Sequence, residues 1–136
     1  MSTIAFKDGI LAADTQASQG DTLCGVVSKL FAIDGWRLGL TGNSYDLAEM
    51  HKFTPETMFD KIDLDDKTEV LAINQNGCVI YFCKKKVLEV KADFYAAGSG
   101  FKLALGAMAV GASAEEAVLA ASKFDLWTND VVEVLE

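Results

Sequence analysis

The first three residues, Met1-Ser2-Thr3, include side chains that could do chemistry, and a short apolar segment, Ile4-Ala5-Phe6, follows them at once. Removal of Met1 would leave Ser2 with a hydroxyl group and a free α-amine. A free α-amine has a pKa near ~8 in model peptides, so it can accept a proton at ambient pH. Such a nucleophile and base on one residue are a recognised variant of the nucleophile–base pair. The sequence therefore predicts an N-terminal serine nucleophile; the alternative is an ordinary N-terminus in which this serine has no function.

The strand pattern places a carboxylate beside this serine. Strands are predicted at residues 3–7 and 10–14 around Asp8-Gly9, because an Asp-Gly pair between apolar segments is a strong hairpin signal. With that turn, Thr3 lies opposite Asp14. The Asp14 carboxylate is then within reach of the serine and can orient a lysine.

Residues farther along the chain could complete a catalytic site. Lys29, which we expect the next strand to bring in, would present a cation to the serine oxygen and favour its alkoxide-like form. Gly42 follows a predicted strand, where a bare backbone N–H can approach a substrate oxyanion closely. Ser99 and Asp125 could bond the α-amine and fix its orientation, with Thr128 supporting the turn. Each residue taken alone also has an ordinary structural interpretation, as a solvent-facing lysine, a turn or a helix cap.

The remaining pattern alternates strand pairs with helices. Further strands are predicted at residues 26–33, 36–40, 70–74, 79–83, 87–90, 94–97 and 131–135. Helices are predicted from residue 44 or 45 to about 53, over a short stretch from Pro55, from 100 to about 110, and from the capping box at Ser113 and Glu116 to about 124. Two antiparallel sheets packed face to face, with helices outside both, accommodate this order. We therefore expect an α+β fold, a four-layer αββα sandwich formed by one domain over residues 1–136.

Composition and charge narrow the function classes. The chain has 136 residues, of which 51% are apolar, and a net charge of −8. The negative charge argues against nucleic-acid binding, which needs a basic face. No apolar stretch reaches the roughly 20 residues of a membrane helix, so we expect no membrane span. An apolar excess without such a span favours oligomer interfaces.

The cysteines and the histidine give no metal-site spacing. The chain has an odd number of cysteines, namely Cys24, Cys78 and Cys83. Its one histidine, His51, lies in a polar segment that is predicted to be helical. We therefore expect reduced thiols, no metal and no organic cofactor. The N-terminus lacks the pattern of a secretory signal, and the expected location is cytoplasmic.

Five elements occur in a characteristic order along the chain. They are Ser2-Thr3-Ile4 followed by Gly9–Ala17, then Val27-Ser28-Lys29-Leu30, Leu40-Thr41-Gly42-Asn43, Gly98-Ser99-Gly100 and Asp125-Leu126-Trp127-Thr128. In this order they resemble proteasome β-subunits and the bacterial peptidase HslV, which are N-terminal nucleophile hydrolases. The resemblance covers nearly the whole chain.

The resemblance implies hydrolysis of peptide bonds through an acyl-enzyme, with peptides or unfolded proteins as substrates. The implied catalytic residues are Ser2, Asp14, Lys29, Gly42, Ser99, Asp125 and Thr128, and the implied substrate-binding residues are Ala17, Ser18, Val27, Leu40 and Ser44. The apolar members of the second set suggest cleavage after apolar residues. A homo-oligomeric ring, stacked through the two C-terminal helices, and an ATP-dependent unfoldase partner are also implied.

The chain departs from the family pattern at several points. Most members have threonine where this chain has Ser2, and the first hairpin is shorter by about two residues on each strand, a symmetric loss that keeps the register. The segment from Gly42 to Val70 is also short. Retention of Met1 would mask the amine, so a catalytically silent ring or scaffold protein is the alternative function. An amidase for a small non-peptide substrate would keep the same serine chemistry.

Overall fold

A computed structural model of the protein describes residues 2–19, 21–42, 65–77, 79–83 and 86–136. Several predictions fall outside these described residues. They are the helix over residues 44–53, the helix from Pro55, and the roles assigned to Ser44, His51 and Cys78.

The described chain forms two main antiparallel sheets, a separate hairpin and two helices. The strands are β1 Ile4–Lys7, β2 Ile10–Asp14, β3 Gln16–Gln19, β4 Thr22–Val26, β5 Leu30–Ile33, β6 Trp36–Thr41, β7 Glu69–Ile73, β8 Val79–Cys83, β9 Lys86–Val90, β10 Phe94–Ala97 and β11 Val132–Leu135; the helices are α1 Phe101–Ala109 and α2 Ala114–Ser122. The first sheet has the strand order β10-β1-β2-β11, the second has β5-β6-β7-β8-β9, and β3 pairs only with β4.

The β1–β2 hairpin has the predicted register. Asp8 and Gly9 both have positive φ angles, 53° and 78°, as a two-residue type I′ turn requires. Lys7 pairs with Ile10, and the N–H of Asp14 donates to the carbonyl oxygen of Thr3 at 3.2 Å. The turn thereby brings Asp14 to the N-terminal end of β1.

Three apolar clusters hold the layers together. Side chains of both sheets, including Ile4, Leu11 and Leu71, fill the space between the sheets. Alanines of the first sheet pack against α1 and α2 around Met108 and Val118. The third cluster lies on the face of the second sheet that points away from the first. The predicted α+β sandwich is confirmed, whereas the helices predicted for the outer side of the second sheet lie outside the described residues.

Both described helices agree with their predicted positions. Gly100 is the N-cap of α1. Ser113 and Glu116 form the predicted capping box, because the Ser113 hydroxyl accepts from the Glu116 N–H while the Glu116 carboxylate accepts from the Ser113 N–H. Neither α1 nor α2 is long and apolar enough to cross a membrane, and the same holds for the rest of the described chain.

The predicted strand over residues 26–33 is wrong in its first part, whereas Leu30–Ile33 pairs with β6 around Asp34-Gly35 as predicted. Val26 ends β4 and Leu30 begins β5, so Lys29 lies in the connection between two strands. The β3–β4 hairpin was not predicted because it lacks an alternating apolar face: all five residues of β4 are exposed. The connection is fixed at both ends. Val27 N–H donates to the Thr15 carbonyl at 2.8 Å, and Leu40 N–H donates to the Lys29 carbonyl at 3.0 Å.

Candidate active site

The N-terminal end of the β1–β2 hairpin carries a buried carboxylate. Asp14 is fully buried. Its Oδ1 accepts from the Thr3 N–H at 2.9 Å, and its Oδ2 accepts from the Gln16 N–H at 3.1 Å and from Lys29 Nζ at 2.9 Å. A buried charge is costly unless it is paired and hydrogen-bonded, and these donors supply both conditions. Asp14 is therefore positioned to hold a cation beside Ser2.

Lys29 is that cation, and it also contacts the predicted nucleophile. Its Nζ donates to Ser2 Oγ at 2.5 Å, and its side chain is only 7% exposed. Burial lowers the pKa of Lys29, and the negative charges of Asp14, Glu133 and Asp125 offset this only in part. An ammonium at this distance stabilises negative charge developing on the serine oxygen.

The carbonyl group of Ser2 is held from the other side by the Gly-Ser-Gly element. The N–H of Gly100 donates to it at 3.2 Å. Ser99 Oγ lies 3.3 Å from the same oxygen, although the hydrogen of this hydroxyl is used on Asp125 at 2.6 Å. A Cβ at Gly98 would lie 2.1 Å from the carbonyl oxygen of Ser2, and one at Gly100 would lie 2.0 Å from Thr3 Oγ1. Both glycines are therefore required by the close approach of the N-terminal segment.

A chain of hydroxyl groups links the same segment to the C-terminal part of the protein. Asp125 Oδ2 accepts from Ser99 Oγ at 2.6 Å and from Thr128 Oγ1 at 2.5 Å. Thr128 Oγ1 is also 2.7 Å from Thr3 Oγ1. Because the Thr128 hydrogen is used on Asp125, Thr3 is the donor in that last contact. Binding of the α-amine by Ser99 and Asp125 stays a prediction.

Gly42 directly follows β6 and has a φ angle of +117°. A Cβ at this position would lie 2.7 Å from the Cα of Thr68, so only glycine fits without displacing the backbone. Its role as an oxyanion donor stays a prediction.

The predicted substrate-binding residues are distributed over three elements. Ala17 and Ser18 lie in β3, half-buried and exposed respectively, and Val27 is half-buried in the connection before β5. Leu40 is buried in the cluster on the far face of the second sheet. The structure thus joins all of the predicted catalytic residues except Gly42 by direct contacts. The predicted substrate-binding residues are not joined in this way, and their roles stay predictions.

The sequence analysis missed two residues that support the site. Asn129 Oδ1 accepts from the Thr15 N–H at 3.0 Å, and the Asn129 N–H donates to Asp14 Oδ2 at 3.4 Å. Glu133 accepts hydrogen bonds from the backbone of Lys29 and Leu30. No local sequence signal marks Glu133, because its position opposite buried Ala13 follows only from the pairing of β11 with β2.

Comparison with known proteins gives structural matches only. No family model and no curated protein sequence matches the chain. Thiobacillus denitrificans BPH matches with a TM-score of 0.75 and 23% identity, covering 98% of this chain and 95% of that one. The complex of the same protein with epoxomicin has a TM-score of 0.72, 22% identity and coverages of 98% and 96%. Eukaryotic HslV from Trypanosoma brucei has a TM-score of 0.77, 16% identity and coverages of 98% and 97%. The chain therefore has a proteasome/HslV-like fold, the fold that its resemblance to the N-terminal nucleophile hydrolases implied.

Proposed function

We propose that the protein is an N-terminal serine peptidase that hydrolyses peptide bonds through an acyl-enzyme formed on Ser2. The observation that carries this proposal is the position of Lys29 Nζ, 2.5 Å from Ser2 Oγ and 2.9 Å from Asp14 Oδ2. The fold shared with HslV and with a protein that binds epoxomicin supports the same function. The proposal requires removal of Met1, because only then is the nitrogen of Ser2 an amine.

The steps follow from the groups around Ser2. Its α-amine takes the hydroxyl proton, and Oγ attacks the carbonyl carbon of the peptide bond. The Lys29 ammonium stabilises the charge on Oγ, and the Gly42 N–H holds the oxyanion. The protonated amine then gives its proton to the leaving amine. Water, activated by the same amine, hydrolyses the ester and releases Ser2.

The neighbouring contacts would keep Ser2 in place during these steps. Gly100 holds its carbonyl oxygen, while Asp125 and Thr128 hold Ser99 and the adjacent Thr3. Fixed partners matter because the attacking oxygen must meet the carbonyl carbon in one geometry. We assign substrate contacts to Ala17, Ser18, Val27 and Ser44 from the family resemblance, with a preference for apolar side chains before the cleaved bond. Leu40 is left out of this set because its side chain is buried in the cluster on the outer face of the second sheet.

Assembly into a homo-oligomeric ring is part of the proposal. Three apolar side chains beyond the ends of α1 and α2 are largely exposed: Val110 at 88%, Phe124 at 77% and Leu126 at 86%. Val110 lies in the α1–α2 turn and the other two follow α2 at the opposite end of the helix pair. Exposed apolar side chains of this kind suit contact with a second copy. An unfoldase partner and a cytoplasmic location are expected from the resemblance and from the cysteine content.

Intact mass spectrometry before and after incubation with epoxomicin tests the function. We expect the purified protein to lack one methionine and to gain one epoxomicin covalently. The variant Ser2→Ala should lose the methionine equally well but gain nothing, and it should hydrolyse no peptide while keeping its fold by circular dichroism.

Three outcomes would contradict the peptidase. A protein that retains Met1 in native material would support the silent ring or scaffold protein. Unchanged peptide turnover by Ser2→Ala would show that the nucleophile is another group. Turnover of small amides without any turnover of peptides would favour the amidase.

A further inference from the structure

Glu133 connects the edge of the first sheet to the segment that carries Lys29. It lies in β11, paired with Ala13 of β2, so its side chain leaves the strand on the inner face of the first sheet. Its Oε1 accepts from the backbone N–H groups of Lys29 and of Leu30, the latter at 3.0 Å. Its Oε2 accepts from Ser28 Oγ at 2.7 Å. One carboxylate therefore binds three consecutive residues, Ser28 to Leu30, where the chain enters β5 of the second sheet.

The backbone of Lys29 is fixed on both sides by these contacts. Its N–H is bound by Glu133, and its carbonyl oxygen accepts from the Leu40 N–H at 3.0 Å. Lys29 lies outside any strand, so no continuous ladder of sheet hydrogen bonds holds it. If Glu133 were removed, the bond from Leu40 would be the one hydrogen bond left on the Lys29 backbone among the described residues.

We propose that Glu133 is a positioning residue, whose carboxylate fixes the backbone of Ser28–Leu30 and so holds the Lys29 ammonium between Ser2 Oγ and Asp14. This inference rests on the proposed function for its catalytic consequence. A lysine side chain has four rotatable bonds, and its ammonium group reaches one place reliably only when the backbone beneath it is fixed. The hydrogen bonds of an ionised carboxylate to N–H groups are strong enough for that task.

Glu133 also contributes negative charge to the surroundings of Lys29. The charged groups that face the ammonium are Asp14, Glu133 and Asp125, and each of them raises the pKa of Lys29 against the effect of burial. Loss of the Glu133 charge should lower that pKa further. A glutamine at this position would separate the two effects, because its amide oxygen can still accept both backbone N–H groups but carries no charge.

The test compares Glu133→Ala and Glu133→Gln with a control, Glu116→Ala, which removes a carboxylate from the capping box of α2. Steady-state kinetics with a fluorogenic peptide should show kcat of Glu133→Ala reduced by about tenfold or more with KM little changed, since Lys29 contacts the nucleophile. Glu133→Gln should keep kcat within about threefold at neutral pH. Its alkaline loss of activity should move to lower pH. Glu116→Ala should lower the melting temperature and leave kcat intact.

Two further measurements do not depend on activity. Amide hydrogen exchange of Lys29 and Leu30 should accelerate in Glu133→Ala and stay slow in Glu133→Gln. Carbon NMR of the lysine ε-methylene group should show the Lys29 titration midpoint lowered in both variants. If the wild-type protein hydrolyses nothing, the proposed function fails, and these measurements still decide whether Glu133 fixes Lys29.

The inference is overturned by unchanged exchange in folded Glu133→Ala, or by a wild-type kcat in that variant. Equal losses of kcat in the alanine and glutamine variants would also overturn it, because they would make charge alone responsible. If Glu133→Ala does not fold, the exchange and pH profile of Glu133→Gln remain: rapid exchange of Lys29 and Leu30, or an unmoved alkaline limb, counts against the proposal.

Discussion

A lysine ammonium group lies near each end of strand β1, and the two ammonium groups have different hydrogen-bond partners. At the far end, Lys7 Nζ donates to the carbonyl oxygens of Met108 and Ala112, at 3.2 and 2.9 Å, and lies 5.6 Å from the centre of the Phe94 ring. At the N-terminal end, Lys29 Nζ donates to a carboxylate and a hydroxyl group. A cation at helix carbonyls is an ordinary means of stabilising a helix end. A buried cation beside a hydroxyl group is what activation of a nucleophile needs.

Replacing each lysine by methionine should give the largest difference between the two sites. Lys29→Met should lower kcat by about 100-fold, roughly 2.7 kcal/mol of transition-state stabilisation, because the charge beside Ser2 Oγ is lost. Lys7→Met should keep kcat and lower the free energy of unfolding by about 0.5–1 kcal/mol, since the carbonyl contacts at the end of α1 and the contact with the Phe94 ring are lost. Peptide kinetics and urea denaturation measure the two effects.

Lys29→Met also leaves the Asp14 carboxylate buried without its cation, which is destabilising in itself. The double variant Asp14→Asn, Lys29→Met removes that charge and serves as the control for folding. A loss of kcat below about tenfold in a folded variant would assign Lys29 a structural role, like that of Lys7.

Alanine substitutions at Gly98, beside Ser2, and at Gly106, in α1, should have opposite effects on stability. Gly98 has a φ angle of +96°, and a Cβ there would lie 2.1 Å from the carbonyl oxygen of Ser2. By contrast, a Cβ at Gly106 in α1 would have no neighbour within 4 Å. Gly98→Ala should therefore destabilise the protein by about 3 kcal/mol through crowding and backbone strain. Gly106→Ala should stabilise it by about 0.5–1 kcal/mol.

Thermal and urea unfolding of the two alanine variants measures this difference. Similar stabilities would mean that the N-terminal segment does not pack against Gly98 as described. Activity should fall in Gly98→Ala and stay constant in Gly106→Ala.

The smallest expected effect is the pH dependence that Lys29 gives to the site. Because the pKa of Lys29 is lower in the folded protein than in the unfolded chain, the unfolded chain binds more protons between those two values. Stability from this group therefore rises with pH across that window, and the full cost of burying the charge applies below it. Activity should rise as the α-amine loses its proton near ~8 and fall as Lys29 loses its own below the ordinary lysine value.

A bell-shaped profile of kcat/KM against pH measures this expectation. The alkaline limb should be absent from the residual activity of Lys29→Met. An alkaline limb that persists there would have to come from another group.

The parts of the fold that local signals specify were predictable from sequence. The β1–β2 register followed from Asp8-Gly9, and the start of α2 followed from Ser113 and Glu116, because the turn and the capping box involve only neighbouring residues. The β3–β4 hairpin was missed because its exposed strand has no apolar alternation to detect. Elements are therefore predictable where a turn, a cap or an apolar alternation marks them in the sequence.

The site was predictable where a motif resembled a family and not where support comes from distant strands. Ser2, Asp14 and Lys29 were predicted, and they lie within hydrogen-bonding distance in the structure. Glu133 was not predicted, because its partners Lys29 and Leu30 are 104 and 103 residues away in sequence. Only the packing of β11 beside β2 reveals that contact.

The pairing of β11 with β2 also sets the moment at which reactivity can arise during folding. The groups around the N-terminal serine come from both sheets and from the last strand, so an incomplete chain has the hydroxyl but not its surroundings. Under the proposed function, Ser2 would become reactive only once the sandwich has closed. The return of hydrolysis on refolding would then time that final closure.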